Sequence, residues 1–147
     1  GQIQRYMNKI SGPLLDRIDI QVEITPVPFK DISQAVQGES SSVIRERVIR
    51  ARHMQEQRFK EVKGIYSNAQ MTERMIHQFA EPDAEGIELL RTAMERLSLS
   101  ARAYNRILKV ARTIADLEQS EAVKSQHLAE AISYRNLDRG DWAERGN

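Results

Sequence analysis

From Ile18 to Thr25 the chain alternates apolar and polar residues, Ile-Asp-Ile-Gln-Val-Glu-Ile-Thr, the two-residue period of a half-buried β-strand. Pro26 and Pro28 stop it, because proline cannot donate to a ladder and restricts the residue before it. No other stretch reads comparably as a strand. A lone strand leaves its backbone groups and its apolar face unpaired. Its partners are therefore expected in sequence outside this chain or in a second copy of it.

After Gly38 the period lengthens to that of helices. Residues 42–62 set Ile44, Val48, Ala51, Met54, Phe59 and Val62 at helical spacing behind candidate caps at Ser40 to Ser42, which predicts one long helix broken at Lys63-Gly64. Residues 65–71 read as a connection, and Thr72 caps a short helix through Phe79. Pro82-Asp83 opens another helix through Leu97, with Ile87, Leu90, Ala93, Met94 and Leu97 on one stripe. Ser100 caps the next, whose stripe of Ala103, Tyr104, Ile107, Leu108, Ala111, Ile114 and Ala115 is the most regular in the chain. A last helix over 125–135 buries Leu128, Ala131 and Ile132.

The pattern predicts a mainly α chain: a strand-bearing piece over residues 1–28, a linker over 29–39, a bundle of about five helices over 40–136, and a charged tail over 137–147 that frays. One turn of helix is open over residues 31–37. No internal repeat or low-complexity segment is present.

Composition narrows the chemistry. The 147 residues hold no cysteine, which excludes a disulfide scaffold, a thiolate nucleophile and any cysteine-ligated metal centre. No apolar run reaches the roughly 20 residues of a membrane span, and the first residues lack the apolar core of a signal peptide, so a cytoplasmic protein without a membrane partner is expected. Gly1 rather than Met leads directly into patterned sequence, so the chain reads as a piece of a longer protein. A net charge of +1 gives no global argument for nucleic acid, and the position of each cation must carry any such argument.

A phosphate-cradling loop requires Gly-x-x-x-x-Gly-Lys-Ser/Thr, and no Gly-Lys pair occurs here. A Gly-x-Gly-x-x-Gly turn and an apolar strand ending in Asp-Glu are missing too. His53, His77 and His127 lack the spacing of a metal site and read as surface or partly buried histidines.

Two arginines stand out. Arg17 falls where one helical turn around Pro13 to Asp16 hands over to the strand, held by rigid elements on both sides. Its fork can reach an external anion, although spacing alone favours a salt bridge with Asp16, Asp19 or another carboxylate. Arg102 lies in the first turn of the helix begun by Ser100, where the helix terminus itself attracts anions. With Arg106, Lys109 and Thr113 it lies opposite the apolar stripe, and periodicity alone favours a solvated basic face. The long helix and its end carry seven cations, at 45, 47, 50, 52, 58, 60 and 63, against three glutamates. They are spread around the helix with no interleaved aromatics for base stacking, so a charged solvent face is the simpler reading.

Several separate blocks carry a resemblance. Arg5-Tyr6, the run from Ile10 to Asp19, Glu39-Ser40-Ser41 with Ile44-Arg45, and Asn68-Ala69-Gln70-Met71 come first. Leu99 to Tyr104, Arg106 to Leu117 and His127 to Ala131 follow in order. Together they resemble the carboxy-terminal third of the bacterial magnesium chelatase-like AAA+ ATPases of the ComM/YifB competence family. The resemblance implies the end of an α/β ATPase core, with one leftover strand, followed by a helical lid. It further implies a homo-oligomeric, six-membered ring that uses ATP and Mg2+ and acts on DNA in branch migration. Arg17, in Leu-Leu-Asp-Arg-Ile-Asp, looks like the arginine finger that reaches the neighbouring subunit's nucleotide. Arg102, in Ser-Ala-Arg-Ala-Tyr, looks like the sensor-2 arginine of the lid. Lacking the phosphate-cradling motifs, the chain by itself is expected neither to hydrolyse ATP nor to hold a cofactor.

Two other readings stay open. The helices over 101–117 and 125–135 could form an autonomous helix-turn-helix reader of DNA, against which the long connection from Glu118 to Lys124 counts. A structural adaptor that binds neither nucleotide nor DNA is the third.

Overall fold

A computed structural model describes residues 12–22, 24, 26–29 and 38–135. Six helices form among them: α1 (Gly12–Leu15), α2 (Ser41–Phe59), α3 (Glu73–Phe79), α4 (Ala84–Leu97), α5 (Ala101–Leu117) and α6 (Ser125–Ser133), with one 3-10 turn over Asn68–Gln70. The open helical turn at 31–37 and the tail from residue 136 lie outside the described residues.

Local chemistry starts four of these helices. Ser40, Thr72, Asp83 and Ser100 each sit in extended backbone and accept the N–H three residues on, from Val43, Met75, Gly86 and Ala103. Stops are equally local. Ser98 ends α4 in the left-handed region with φ of 48°, and Gly64, at φ of 84°, turns the chain after α2.

α5 is the centre of the bundle. Helices α2, α3 and α6 pack against it, and α4 packs on α6. The core joins Phe59, Ile76, Leu90, Ile107, Leu108 and Leu128, with Phe79 set edge-on to Phe59 at 5.8 Å between ring centroids. A parallel bridge between Pro82 and Val123 ties the chain entering α4 to the chain entering α6.

The expected strand finds no ladder among the described residues, and two helical expectations are corrected. No β-strand forms among the described residues: Ile18, Ile20, Val22 and Ile24 are exposed, and Gln21 is the buried residue of this segment. The alternation is real, but a strand needs a neighbouring ladder, and here the Gln21 N–H donates to Tyr134 O at 2.9 Å without extending into one among the described residues. The long helix ends at Phe59 rather than 62, and only its second half is covered; Ile44 and Val48 stay exposed while Ala51, Gln55 and Phe59 are buried. In α4 the buried stripe runs through Gly86, Leu90 and Ala93, leaving Ile87 exposed. The missing Cβ at Gly86 explains the rotation, since a Cβ there would lie 2.6 Å from Leu128 Cδ1 and 2.9 Å from Pro82 Cβ.

Candidate functional site

Arg17 occupies the turn that follows α1. Its N–H donates to Leu14 O at 3.0 Å, and Ile18 N–H donates to Leu15 O at 3.0 Å, so the backbone on both sides is fixed. The side chain is exposed. The carboxylates that could have neutralised it are committed elsewhere: Asp16 faces Arg135 at 3.8 Å, and Asp19 pairs with Arg106. Among the described residues the Arg17 guanidinium therefore has no hydrogen bond or ion pair, and the local salt bridge that spacing favoured is not formed.

Arg102 projects from the first turn of α5, one residue after Ala101 and two after the Ser100 cap, and is exposed. It also lacks a partner among the described residues. It lines a groove of about 530 Å³ together with Arg106 and Lys109, facing Asp19, Glu130 and Tyr134. Apolar atoms of Ile20, Val110, Ile114 and Leu117 line the same groove.

The solvated basic face expected on α5 is only partly found. Lys109 Nζ donates to Ala69 O at 2.8 Å, and Thr113 Oγ1 accepts from Asn68 Nδ2 at 3.0 Å. Partial burial pushes the Lys109 ammonium below its ordinary range; the nearby Arg106 charge adds to that shift and Asp19 opposes it. Of the four residues on this face, Arg102 alone keeps all its donors for something else. An exposed guanidinium at a helix start beside two further cations suits a phosphate group.

A second polar cluster went unread in the sequence. Arg112 and Asp116 are fully buried, and Asp116 holds Arg112 at 3.1 Å and Arg58 at 2.5 and 2.8 Å. Arg112 also donates to the carbonyls of Ser120 and Glu121, which staples the connection between α5 and α6. Asn68 joins through its amide, which donates to Asp116 at 2.7 Å. The available signal was an arginine and an aspartate four apart, flanked by apolar positions of the stripe. This cluster is structural: every member is spent on another.

The three histidines do not meet. His53 and His77 are exposed, whereas His127 is fully buried, deeper than expected, because it reaches back to cap its own helix. Its Nδ1 accepts from Lys124 N–H at 2.9 Å, which leaves Nε2 to donate to Glu118 at 3.0 Å. Among the described residues no group of three metal-ligating side chains occurs, and no helix is long and apolar enough to cross a membrane.

Residues 38–135 match the family described as Magnesium chelatase, subunit ChlI C-terminal, and residues 1–32 match Magnesium chelatase, subunit ChlI. The protein named YifB from Escherichia coli strain K12 is 44% identical over 94% of this chain. Competence protein ComM from Haemophilus influenzae is 38% identical over 94% of it, and a Mycobacterium tuberculosis protein is 36% identical over 90%. In each case the match covers 26% of the relative, so the chain spans about a quarter of the length of these curated relatives. Matched along most of its length and in the order of its helices, the chain belongs to the magnesium chelatase-like family that includes YifB and ComM.

Proposed function

We propose that this chain is the carboxy-terminal part of a ring-forming ATPase, with the α2–α6 bundle as the lid over ATP and DNA as the substrate remodelled. The observation that carries this reading is the pair Arg17 and Arg102. Both are exposed on hydrogen-bonded backbone, and both lack partners among the described residues, while Arg106 and Lys109 on the face of Arg102, and Arg135 beside Asp16, are committed. The match of residues 1–32 and 38–135 to two parts of one family supports an ATPase core followed by a lid. A relative named as a competence protein supports DNA as the substrate class, in recombination or transformation and hence in the cytoplasm.

ATP with Mg2+, when bound, supplies hydrolysis of its terminal phosphate. The chain's own contribution is charge. Arg102 would hold a phosphate of the nucleotide in its own subunit. Arg17 would present its fork to the nucleotide of the next subunit, the role that a hexameric ring requires. The chain carries no Gly-Lys pair, so the phosphate cradle belongs to other sequence of the longer protein.

The helix-turn-helix reading is weaker. A recognition helix needs side chains that reach phosphates or base edges. Residues 125–133 of α6 contain Glu130 and neither lysine nor arginine, and Arg106 and Lys109 of α5 are already engaged.

ATP turnover by the full-length protein, with and without branched DNA, tests the proposal. Arg17→Ala is expected to lower DNA-stimulated turnover by roughly 10³-fold or more, in the range known for arginine fingers, with ATP binding retained. Arg102→Ala is expected to weaken nucleotide binding and turnover together. Unchanged turnover in both variants would overturn the assignment.

A further inference from the structure

The turn that carries Arg17 is fastened to the bundle by polar groups rather than by its apolar side chains. Asp19 pairs with Arg106 of α5. Ile18 O accepts a hydrogen bond from the guanidinium of buried Arg135, and Gln21 N–H donates to Tyr134 O at 2.9 Å. Ile18 and Val22 meanwhile stay exposed, and Ile20, half exposed, only edges the groove. The placement of Arg17 therefore rests on directed polar contacts and not on a packed apolar face.

Arg106 lies one turn beyond Arg102 on the same helix, and α5 is the most deeply buried element of the bundle. A close-packed helix has low compressibility and transmits strain along its length. Displacing it at Arg102 carries Arg106 along, and Asp19, two residues from Arg17, must follow or lose its partner. We infer that Arg106 and Asp19 are positioning residues that couple the nucleotide sensed at Arg102 to the placement of Arg17. The occupancy of one subunit's site would then set how that subunit presents its arginine to the next. This inference rests on the ATPase reading above and adds to it a link inside one subunit.

The pair is suited to such a role. Both side chains are partly solvated, at 32% and 53% relative exposure, so the contact can open without stranding a buried charge.

Two measurements test it. In this chain, amide exchange at Gln21 reports the fastening directly and needs no nucleotide. Arg106→Ala and Asp19→Ala are each expected to speed that exchange while leaving the α5 amides protected, and unchanged exchange overturns the link. In the full-length protein, each single variant is expected to lower kcat by about 10²-fold, the scale of a misplaced catalytic group, with KM for ATP retained. The swapped pair, Asp19→Arg with Arg106→Asp, is expected to restore most of kcat. A loss of KM in place of kcat, or no recovery in the swap, overturns the positioning role. Absence of ATP turnover in the parent protein rejects the ATPase reading itself, intact turnover in Arg17→Ala rejects the role of Arg17, and intact turnover in the Arg106 and Asp19 variants alone rejects only the coupling.

Discussion

Asp116, with no exposed surface, grips Arg58 through both carboxylate oxygens, at 2.5 and 2.8 Å, across a separation of 58 residues in the chain. That contact locks α2 onto α5. The same carboxylate also serves Arg112, whose own charge burial disfavours, so one anion holds two cations in place. Asp116→Ala leaves buried arginine without compensation, a change expected to cost roughly 3–5 kcal/mol. For a domain of this size that lowers Tm by more than about 10 °C. A thermal scan of the variant checks it, and a shift of a degree or two would mean that water or a rearranged carboxylate replaces Asp116.

Arg17→Ala and Arg102→Ala make the opposite case. Neither side chain touches a partner among the described residues, so each substitution is expected to alter stability by less than about 0.5 kcal/mol. Urea unfolding of the two variants measures this. A clear loss of stability in either would assign that arginine to a salt bridge and remove it from the candidate site.

The helix starts were legible because capping is local. Ser40, Thr72, Asp83 and Ser100 each needed only a side-chain oxygen placed ahead of a periodic run. The segment over 18–25 is the converse case: alternation marks a strand, but its pairing depends on sequence outside this chain, and none forms among the described residues. Arg17 and Arg102 could be picked out, but the feature that makes them available could not. It lies in Asp19 choosing Arg106, 87 residues on, over its neighbour Arg17. Arg112 escaped notice and Arg58 was wrongly placed on the solvent face of its helix, because charge normally marks a helix's wet face and only the tertiary fold brings Asp116 and Asn68 to them.

Gly86 supplies a test of packing. A Cβ there would meet Leu128 Cδ1 at 2.6 Å and Pro82 Cβ at 2.9 Å, and the proline cannot swing aside as a leucine tip can. Gly86→Ala is expected to lose roughly 1–3 kcal/mol by overpacking, offset in part by the gain of about 1 kcal/mol that alanine brings to a helix interior. Chemical denaturation should show a net loss. A net gain would show that α4 and α6 sit further apart than described.

Acid should loosen the join between α5 and α6. The Glu118 carboxyl is held below its usual range, first by the hydrogen bond from Gln126 and then by that from His127. A folded-state value below the unfolded one means the stabilisation is present above the unfolded value and is lost as pH falls through the folded one. The window therefore opens below about pH 4.5, the ordinary value for this group. Because the side chain is 46% exposed, solvent screening keeps the effect small. Glu118→Gln can still accept both bonds but carries no charge. Its stability is expected to fall below that of the parent chain at pH 6 and to converge with it towards pH 3. Parallel curves across that range would show that the charge of Glu118 contributes nothing.

The apolar seam of α2 gives the last prediction, since one periodic stripe meets two environments. Phe59 is 3% exposed and packs edge-on against Phe79, whereas Ile44 and Val48 on the same face are 41% and 45% exposed. Phe59→Ala is expected to cost about 3–5 kcal/mol through lost burial and the cavity left behind. Ile44→Ser and Val48→Ser, which remove little buried surface, are expected to change stability by less than about 0.5 kcal/mol each. Equilibrium unfolding of the three variants separates the halves of the helix. A large loss at Ile44 or Val48 in this chain would show that its upper half is covered in solution, and that the stripe is a continuous core face after all.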